Sequence, residues 1–143
     1  ARVFPLKADH GGPDDNCLIY LINIGEKYLL YGHDSGYFLE ETWEALETLG
    51  NLKLNGVVLD CTHGKNLVLY TELENTGLER HHMGIFSNLE VRERLVRKGL
   101  AGKDTIFVIT HFSHNHEPFH EDMTRLAEEN GFIAAYDGMS IEI

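Results

Sequence analysis

The sequence has few features of the membrane, disulfide-rich or nucleic-acid-binding classes. It contains two cysteines and three prolines in 143 residues. No apolar run approaches the ~18 residues of a membrane span, and no basic start followed by an apolar stretch indicates a signal peptide. The formal charge is -11, without the basic stripe that binds a phosphate backbone. We therefore expect a cytoplasmic protein with reduced thiols and neither a membrane nor a nucleic-acid partner.

The length and composition indicate one globular domain, residues 1–143. At 43% hydrophobic residues, such a chain can bury most of its unfolded surface. It begins without a methionine, in the extended apolar segment ARVFPLKA. That start suggests trimming, or a piece of something longer.

Apolar periodicity predicts a mixed α/β to α+β fold. Two β-rich runs around Gly25-Glu26 predict a hairpin at 17–24 and 27–34. Helical spacing predicts three helices, at 38–50, 86–100 and 118–131, with Ser87 or Asn88 as a cap of the second. Buried strands are expected at 55–62 and 104–114, a loop at 65–78, and, after a further strand from 132 and a turn at Asp137-Gly138, a last short strand. The β-α-β-α-β alternation favours a parallel or mixed sheet covered by helices.

The four basic residues at 92, 94, 97 and 98 have helical spacing beside Glu90 and Glu93. We interpret them as a solvated helix face with ion pairs along it. These four residues do not change the expectation that the chain has no nucleic-acid partner.

Histidine and aspartate follow apolar runs at five places in the chain. The segments are LKADH, LLYGHDSG, VVLDCTH, RHHMG and FVITHFSH. Strand ends direct side chains into loops, where metal ligands and hydrolytic bases commonly lie. Imidazoles and carboxylates are also the ligands of zinc and similar ions. The candidate ligands are His10, His33, Asp34, Asp60, His63, His82, His111 and His114.

Simpler interpretations exist for each candidate. A single histidine at a strand end is commonly a loop residue bonded to backbone, Asp34 could start a turn, and Asp60 could cap the next segment. Cys61 is expected to be a buried thiol rather than a ligand, and His116 and His120 to be solvated. No H-E-x-x-H or C-x-x-C motif supports a metal site. The joint pattern nevertheless favours His10, Asp34 and His111, because three loops at one sheet edge would converge.

The segments LLYGHDSGYF, VVLDCTHG, HHMGIFSN, VITHFSHN and AYDGMSIEI, in that order, resemble the C-terminal half of metallo-β-lactamase-fold hydrolases. The cyclic phosphodiesterases of phosphonate breakdown are the most similar group, and the tRNA 3′-end processing endonucleases are more distant. The resemblance implies an αββα sandwich of which this chain supplies mainly the C-terminal sheet and helix layer. It also implies a phosphodiesterase that attacks a small-molecule phosphodiester with metal-bound hydroxide.

The resemblance also implies roles for individual residues. Asp34 matches the carboxylate that bridges two metals, and His10 and His111 match ligands of one metal each. His82, with His81 as a competing assignment, matches the histidine that protonates the leaving group or steadies the scissile phosphate. His114 would lie near the substrate phosphate or behind the ligands, as would Asp60. The implied cofactor is Zn²⁺ or Mn²⁺, with two ions in the complete enzyme.

One large departure limits the resemblance. The family motif H-x-H-x-D-H, which supplies most of the metal ligands, does not occur in this sequence. We therefore expect half of a sandwich, completed by an N-terminal half or by homo-oligomerisation, since an uncovered sheet face is a liability. Two alternatives stay open: a hydrolase of esters, thioesters or lactones, and a non-catalytic module that binds a partner chain.

Overall fold

A mixed sheet of six strands with three helices makes up the described part of the chain, residues 1–12, 14–65, 80–115 and 119–143 of a computed structural model. The strands are β1 (Arg2–Lys7), β2 (Leu18–Ile24), β3 (Lys27–Gly32), β4 (Gly56–Asp60), β5 (Ile106–Thr110) and β6 (Ile133–Ala134). The helices are α1 (Glu40–Thr48), α2 (Ile85–Arg97) and α3 (His120–Glu129). The mixed α/β class expected from the sequence is confirmed, whereas the predicted loop at 65–78 lies, beyond Lys65, outside the described residues.

The strands lie in chain order across the sheet. β1, β2 and β3 pair antiparallel, and β3, β4, β5 and β6 pair parallel. The predicted hairpin is present, and Gly25 at its turn has a φ of 60°, a left-handed conformation that glycine adopts without steric cost. Because β1 also runs in the direction of β3, the carboxyl ends of β1, β3, β4 and β5 meet at one edge. The loops that follow these four strands therefore converge.

The three helices and one face of the sheet form the core. Burial alternates along β2, where Ile19 and Leu21 are buried between exposed neighbours, as expected for a strand with one covered face. These side chains belong to one buried cluster with Trp43 of α1, Val91 of α2 and Met123 of α3. Within the described ranges, no helix is both long and apolar enough to cross a membrane.

The other sheet face, which we call the outer face, carries no helix among the described residues and is apolar. Several of its side chains are largely exposed: Val3, Leu18, Tyr20, Ile24, Tyr31 and Ile133. The C-terminal segment crosses part of this face, where its residues 139–143 contribute to a cavity of about 310 Å³. Exposed apolar side chains grouped on one sheet face are typical of an interaction site.

Two local predictions were wrong. The last short strand is absent, because residues 135–143 turn at Asp137-Gly138 and pass over the outer face instead of pairing as a strand. The caps of α2 also differ: the helix begins at Ile85 with Gly84 as its N-cap, and Ser87 and Asn88 are buried within its first turn. Asn88 donates through Nδ2 to the backbone oxygen of Asp60 at 2.8 Å, so this amide joins α2 to β4.

Arg92 and Arg94 of α2 bind groups on other elements. Arg94 makes two 2.7 Å bonds to the Glu40 carboxylate of α1 and lies 4.3 Å from the ring centre of Trp43. These bonds lower the pKa of Glu40. Arg92 donates to the backbone oxygen of Asn130 at 2.6 Å and lies over the ring of Phe132. Two residues of the face interpreted as solvated therefore join α2 to α1 and to the end of α3, whereas Arg97 is exposed as expected.

Candidate metal centre

Five side chains meet where the loops converge at the sheet edge. His10 follows β1, Asp34 follows β3, Asp60 ends β4 and His111 follows β5, while His82 precedes α2. Each position is set by a strand or helix that is anchored in the core. The sheet therefore brings together groups that are distant in sequence.

The Asp34 carboxylate is at the middle of this cluster. Its Oδ1 atom lies 3.6 Å from His10 Nε2, 3.6 Å from His111 Nε2 and 3.7 Å from His82 Nδ1. These separations exceed the ~2.7–3.2 Å of a hydrogen bond, and this buried oxygen has no hydrogen-bond donor among the described residues. A buried carboxylate oxygen without a donor costs free energy unless a cation or water satisfies it.

The separations suit two ligands of a shared ion. Zinc bonds of about 2.0–2.1 Å at a tetrahedral angle place neighbouring ligand atoms about 3.3–3.4 Å apart. The distances from Asp34 Oδ1 to the histidine Nε2 atoms are only slightly longer. The donor chemistry, imidazole nitrogen with carboxylate oxygen, also fits Zn²⁺ or Mn²⁺. The residues present can therefore hold a divalent cation.

His111 is oriented by hydrogen bonds to its other ring nitrogen. Its Nδ1 lies 2.7 Å from the Thr62 hydroxyl and 3.1 Å from Asp60 Oδ2. An ionised carboxylate only accepts, so we assign the ring proton to Nδ1. That tautomer leaves the Nε2 lone pair on the side of Asp34, in the arrangement by which carboxylates orient metal-bound histidines.

His10 is oriented in the same way by a backbone group. Its Nδ1 lies 3.1 Å from the carbonyl oxygen of His81. A carbonyl oxygen accepts only, so the proton is again on Nδ1, and Nε2 has a free lone pair on the side of Asp34. The three residues expected from the sequence to be ligands thus lie together with compatible tautomers, while their binding of metal stays a prediction.

Asp60 is the fully buried member of the cluster. Asp34, Asp60, His82 and His111 have ligand atoms within 4.8 Å of one another and could hold a metal ion. However, Asp60 is 0% exposed and accepts bonds from the backbone nitrogens of Thr62 and Met83 at 2.9 and 3.1 Å. It also accepts from His82 Nδ1 at 2.9 Å. Asp60 is therefore placed to orient the two imidazoles, whereas His10, which this group of four does not include, approaches Asp34 Oδ1 at 3.6 Å.

The remaining histidines and Cys61 lie in different environments around and outside the cluster. His33 packs edge-on against the ring of His111, with centroids 4.7 Å apart, and His63 is buried with its ring 5.9 Å from that of His82. His114 is exposed in a turn beyond β5, so its suggested catalytic role stays a prediction. His120 is exposed at the start of α3, as expected, and His116 lies outside the described residues. Cys61 is a buried free thiol whose pKa is raised by burial.

Backbone strain coincides with two of the expected ligands. Asp34 has a φ of 56° and His111 a φ of 60°, and they are the non-glycine residues with positive φ in the described ranges. This conformation costs about 1–3 kcal/mol for a residue with a Cβ atom, and it clusters at functional sites. The sequence carried no direct signal for this strain. Thr62 and Asp9, which also contact the cluster, were not among the candidates.

Gly36 allows the loops to approach closely. A Cβ atom at this position would lie 2.1 Å from the backbone oxygen of Arg80 and 3.1 Å from that of Asp9. Both neighbours are backbone, which cannot move aside as a flexible side chain would. The contact between the loop after β3 and residues 80–82 thus depends on the absence of a side chain.

We expect Gly36→Ala to lower the free energy of unfolding by about 1–3 kcal/mol, the usual cost of overpacking. Gly102→Ala is the matched control, because nothing lies within 4 Å of its added Cβ and its backbone is not left-handed. Denaturant unfolding of both variants measures the difference. Equal stability of the two would contradict the close approach.

Comparisons with family models and with curated proteins give no match for this chain. No family model matches it, and no curated protein gives a significant match. The chemistry of the cluster and the resemblance of the sequence motifs are therefore the grounds for a function.

Proposed function

We propose that this chain belongs to a metal-dependent hydrolase, a phosphodiesterase in its complete form. The observation that supports it most directly is the buried Asp34 Oδ1, which has no donor but lies 3.6 Å from the Nε2 atoms of His10 and His111. Hydrogen bonding directs both lone pairs to the side of that oxygen. Such convergence of lone pairs is unfavourable unless a cation or water lies between them.

His10, Asp34 and His111 would hold Zn²⁺ or Mn²⁺, with two ions in the complete enzyme. A divalent cation supplies Lewis-acid chemistry, since it makes water more acidic and neutralises charge on a phosphate. The whole Asp34 side chain is 41% exposed although Oδ1 is buried. The carboxylate therefore has an open side, as required of a group that bridges two ions.

His82 is the proposed proton donor to the leaving group. Its Nδ1 is bonded to the buried carboxylate of Asp60 at 2.9 Å, and its side chain is 16% exposed. A carboxylate on one ring nitrogen stabilises the imidazolium and leaves the other nitrogen to exchange a proton with substrate. His114, in the exposed turn, would contact the substrate at the mouth of the site.

The proposal includes the fold: one layer of a metallo-β-lactamase-like αββα sandwich. The motif order resembles the C-terminal half of the metallo-β-lactamase fold, and one helix-covered sheet with an apolar outer face is what one layer of an αββα sandwich requires. The missing H-x-H-x-D-H ligands would come from a complementing layer. An ester, thioester or lactone hydrolase would use the same centre and is the second enzymatic candidate.

The outer face favours a second, non-catalytic function. Tyr20 and Tyr31 are 38% and 39% exposed on adjacent strands, next to Leu18 and Ile24. A surface of this kind suits association with another sheet, either a copy of this chain or an N-terminal half. Assembly through this face would be sufficient as a function if the chain holds no metal.

We expect the purified chain to bind Zn²⁺ and Asp34→Ala to lose it, because the substitution removes the central ligand. Asp137→Ala, which removes a carboxylate from an exposed turn, should bind as the wild type does. Equilibrium dialysis followed by elemental analysis measures the stoichiometry. Stoichiometric zinc in Asp34→Ala would refute the ligand role of Asp34.

We expect His82→Ala to lower hydrolysis of a chromogenic phosphodiester by about 10²- to 10⁴-fold, the usual contribution of a general acid. Its zinc content should stay near that of the wild type, and His120→Ala should serve as an unaffected control. A matched chromogenic ester distinguishes the two enzymatic candidates. Failure of the wild type to hydrolyse either substrate would contradict completion of the centre by a second copy of this chain.

We expect the chain to self-associate through the outer face in sedimentation experiments, and Tyr20→Glu to weaken that association. Lys103→Gln changes the net charge by the same amount at an exposed turn and should have no effect. A wild-type chain that stays monomeric as its concentration is raised would contradict pairing with a copy.

A further inference from the structure

The carboxylate of Asp9 lies next to the proposed metal centre. Asp9 precedes His10, and its side chain is only 12% exposed. Its Oδ1 lies 3.2 Å from His81 Nδ1, and its Oδ2 lies 3.4 Å from Arg80 Nε. One mostly buried carboxylate thus binds two consecutive residues that are more than seventy positions away.

The segment that Asp9 binds supplies two parts of the centre. The backbone oxygen of His81 accepts the Nδ1 proton of His10, and the next residue, His82, reaches Asp60. A displacement of residues 80–82 would therefore remove the acceptor that selects the His10 tautomer. Without that acceptor, the Nε2 proton competes for the position that a metal needs.

The backbone of Asp9 joins a third loop to the same place. Its carbonyl oxygen accepts a 2.9 Å bond from the Gly36 nitrogen, two residues after Asp34. Asp9 consequently contacts the loop that carries Asp34 through its backbone and residues 80–82 through its side chain. These are the two structures between which the His10 ring lies.

We propose that Asp9 is a positioning residue, which holds residues 80–82 so that His10 presents an unprotonated Nε2 to Asp34. The effect on metal binding rests on the proposed function, whereas the effect on the tautomer does not. Removal of an ion pair that only stabilised the fold would leave the tautomer of His10 unchanged. Arg80 is 52% exposed, so the pair with Asp9 contributes little to global stability.

The first experiment needs no metal. Long-range ¹H–¹⁵N correlation spectra of the metal-free chain at a pH of about 8, where free imidazole is neutral, report the tautomer of each histidine. The His10 signals are assigned by their loss in His10→Gln. We expect the Nδ1–H form in the wild type and a shift towards the Nε2–H form in Asp9→Ala.

The matched control is Asp15→Ala in the same loop. The Asp15 carboxylate accepts from the Gly12 nitrogen, and we expect its removal to leave the His10 tautomer unchanged. Asp9→Asn, which keeps one acceptor oxygen, should give an intermediate result. The same His10 tautomer in the wild type and Asp9→Ala, or an Nε2–H form in the wild type, would overturn the proposal.

The second experiment measures the consequence for the metal. We expect Asp9→Ala to weaken Zn²⁺ binding by about 10- to 100-fold, as loss of an orienting partner usually does, and to alter the visible spectrum of the Co²⁺-loaded chain. Unchanged affinity and spectrum would overturn the inferred role in metal binding. A wild type that binds no metal would instead refute the proposed function, and the tautomer spectra would still decide the role of Asp9.

Discussion

The buried carboxylate of Asp60 is the interaction on which the site depends. It is fully buried at the end of the central strand β4, where an unpaired charge would cost several kcal/mol. Two backbone nitrogens and the Nδ1 atoms of His82 and His111 satisfy it. Asn88 holds the backbone oxygen of the same residue. Because these donors come from three segments, this carboxylate fixes the loop after β4, the start of α2 and the end of β5 together.

The strain at Asp34 and His111 follows from that arrangement. Both backbones are left-handed, with φ of 56° and 60°, at a cost that isolated loops would relieve by rotating. Rotation of His111 would break its contacts with Thr62 and Asp60, and rotation of Asp34 would move the loop that Gly36 packs against Arg80. The hydrogen bonds and the close backbone approach therefore maintain conformations in which the Asp34 Oδ1 atom and two imidazoles converge.

Local patterns in the sequence predicted the elements better than their ends. Apolar spacing located the hairpin, the three helices and the parallel strands, since each is set by which residues face the core. The predicted N-cap of α2 was wrong because Asn88 bonds the backbone oxygen of Asp60 instead of a free helix nitrogen. The predicted last strand was wrong because residues 139–143 pack on a sheet face. The rule that ligands follow strands selected His10, Asp34 and His111. This rule did not identify Asp9 and Thr62. Their contacts, with His81 and His111, join residues 72 and 49 positions apart in the sequence.

The outer face and the centre belong to the same surface. Along β4, Val57 and Leu59 face the helices, so the alternation places Asp60 in the row of Val58 on the outer face. The same alternation puts Thr110, just before His111, in the row of Val108. A second sheet packed on the outer face would therefore end next to the cluster, where its own side chains would lie close to Asp34 and Asp60. Covering the apolar face and completing the proposed metal centre are, on this geometry, one requirement that a single added layer would meet.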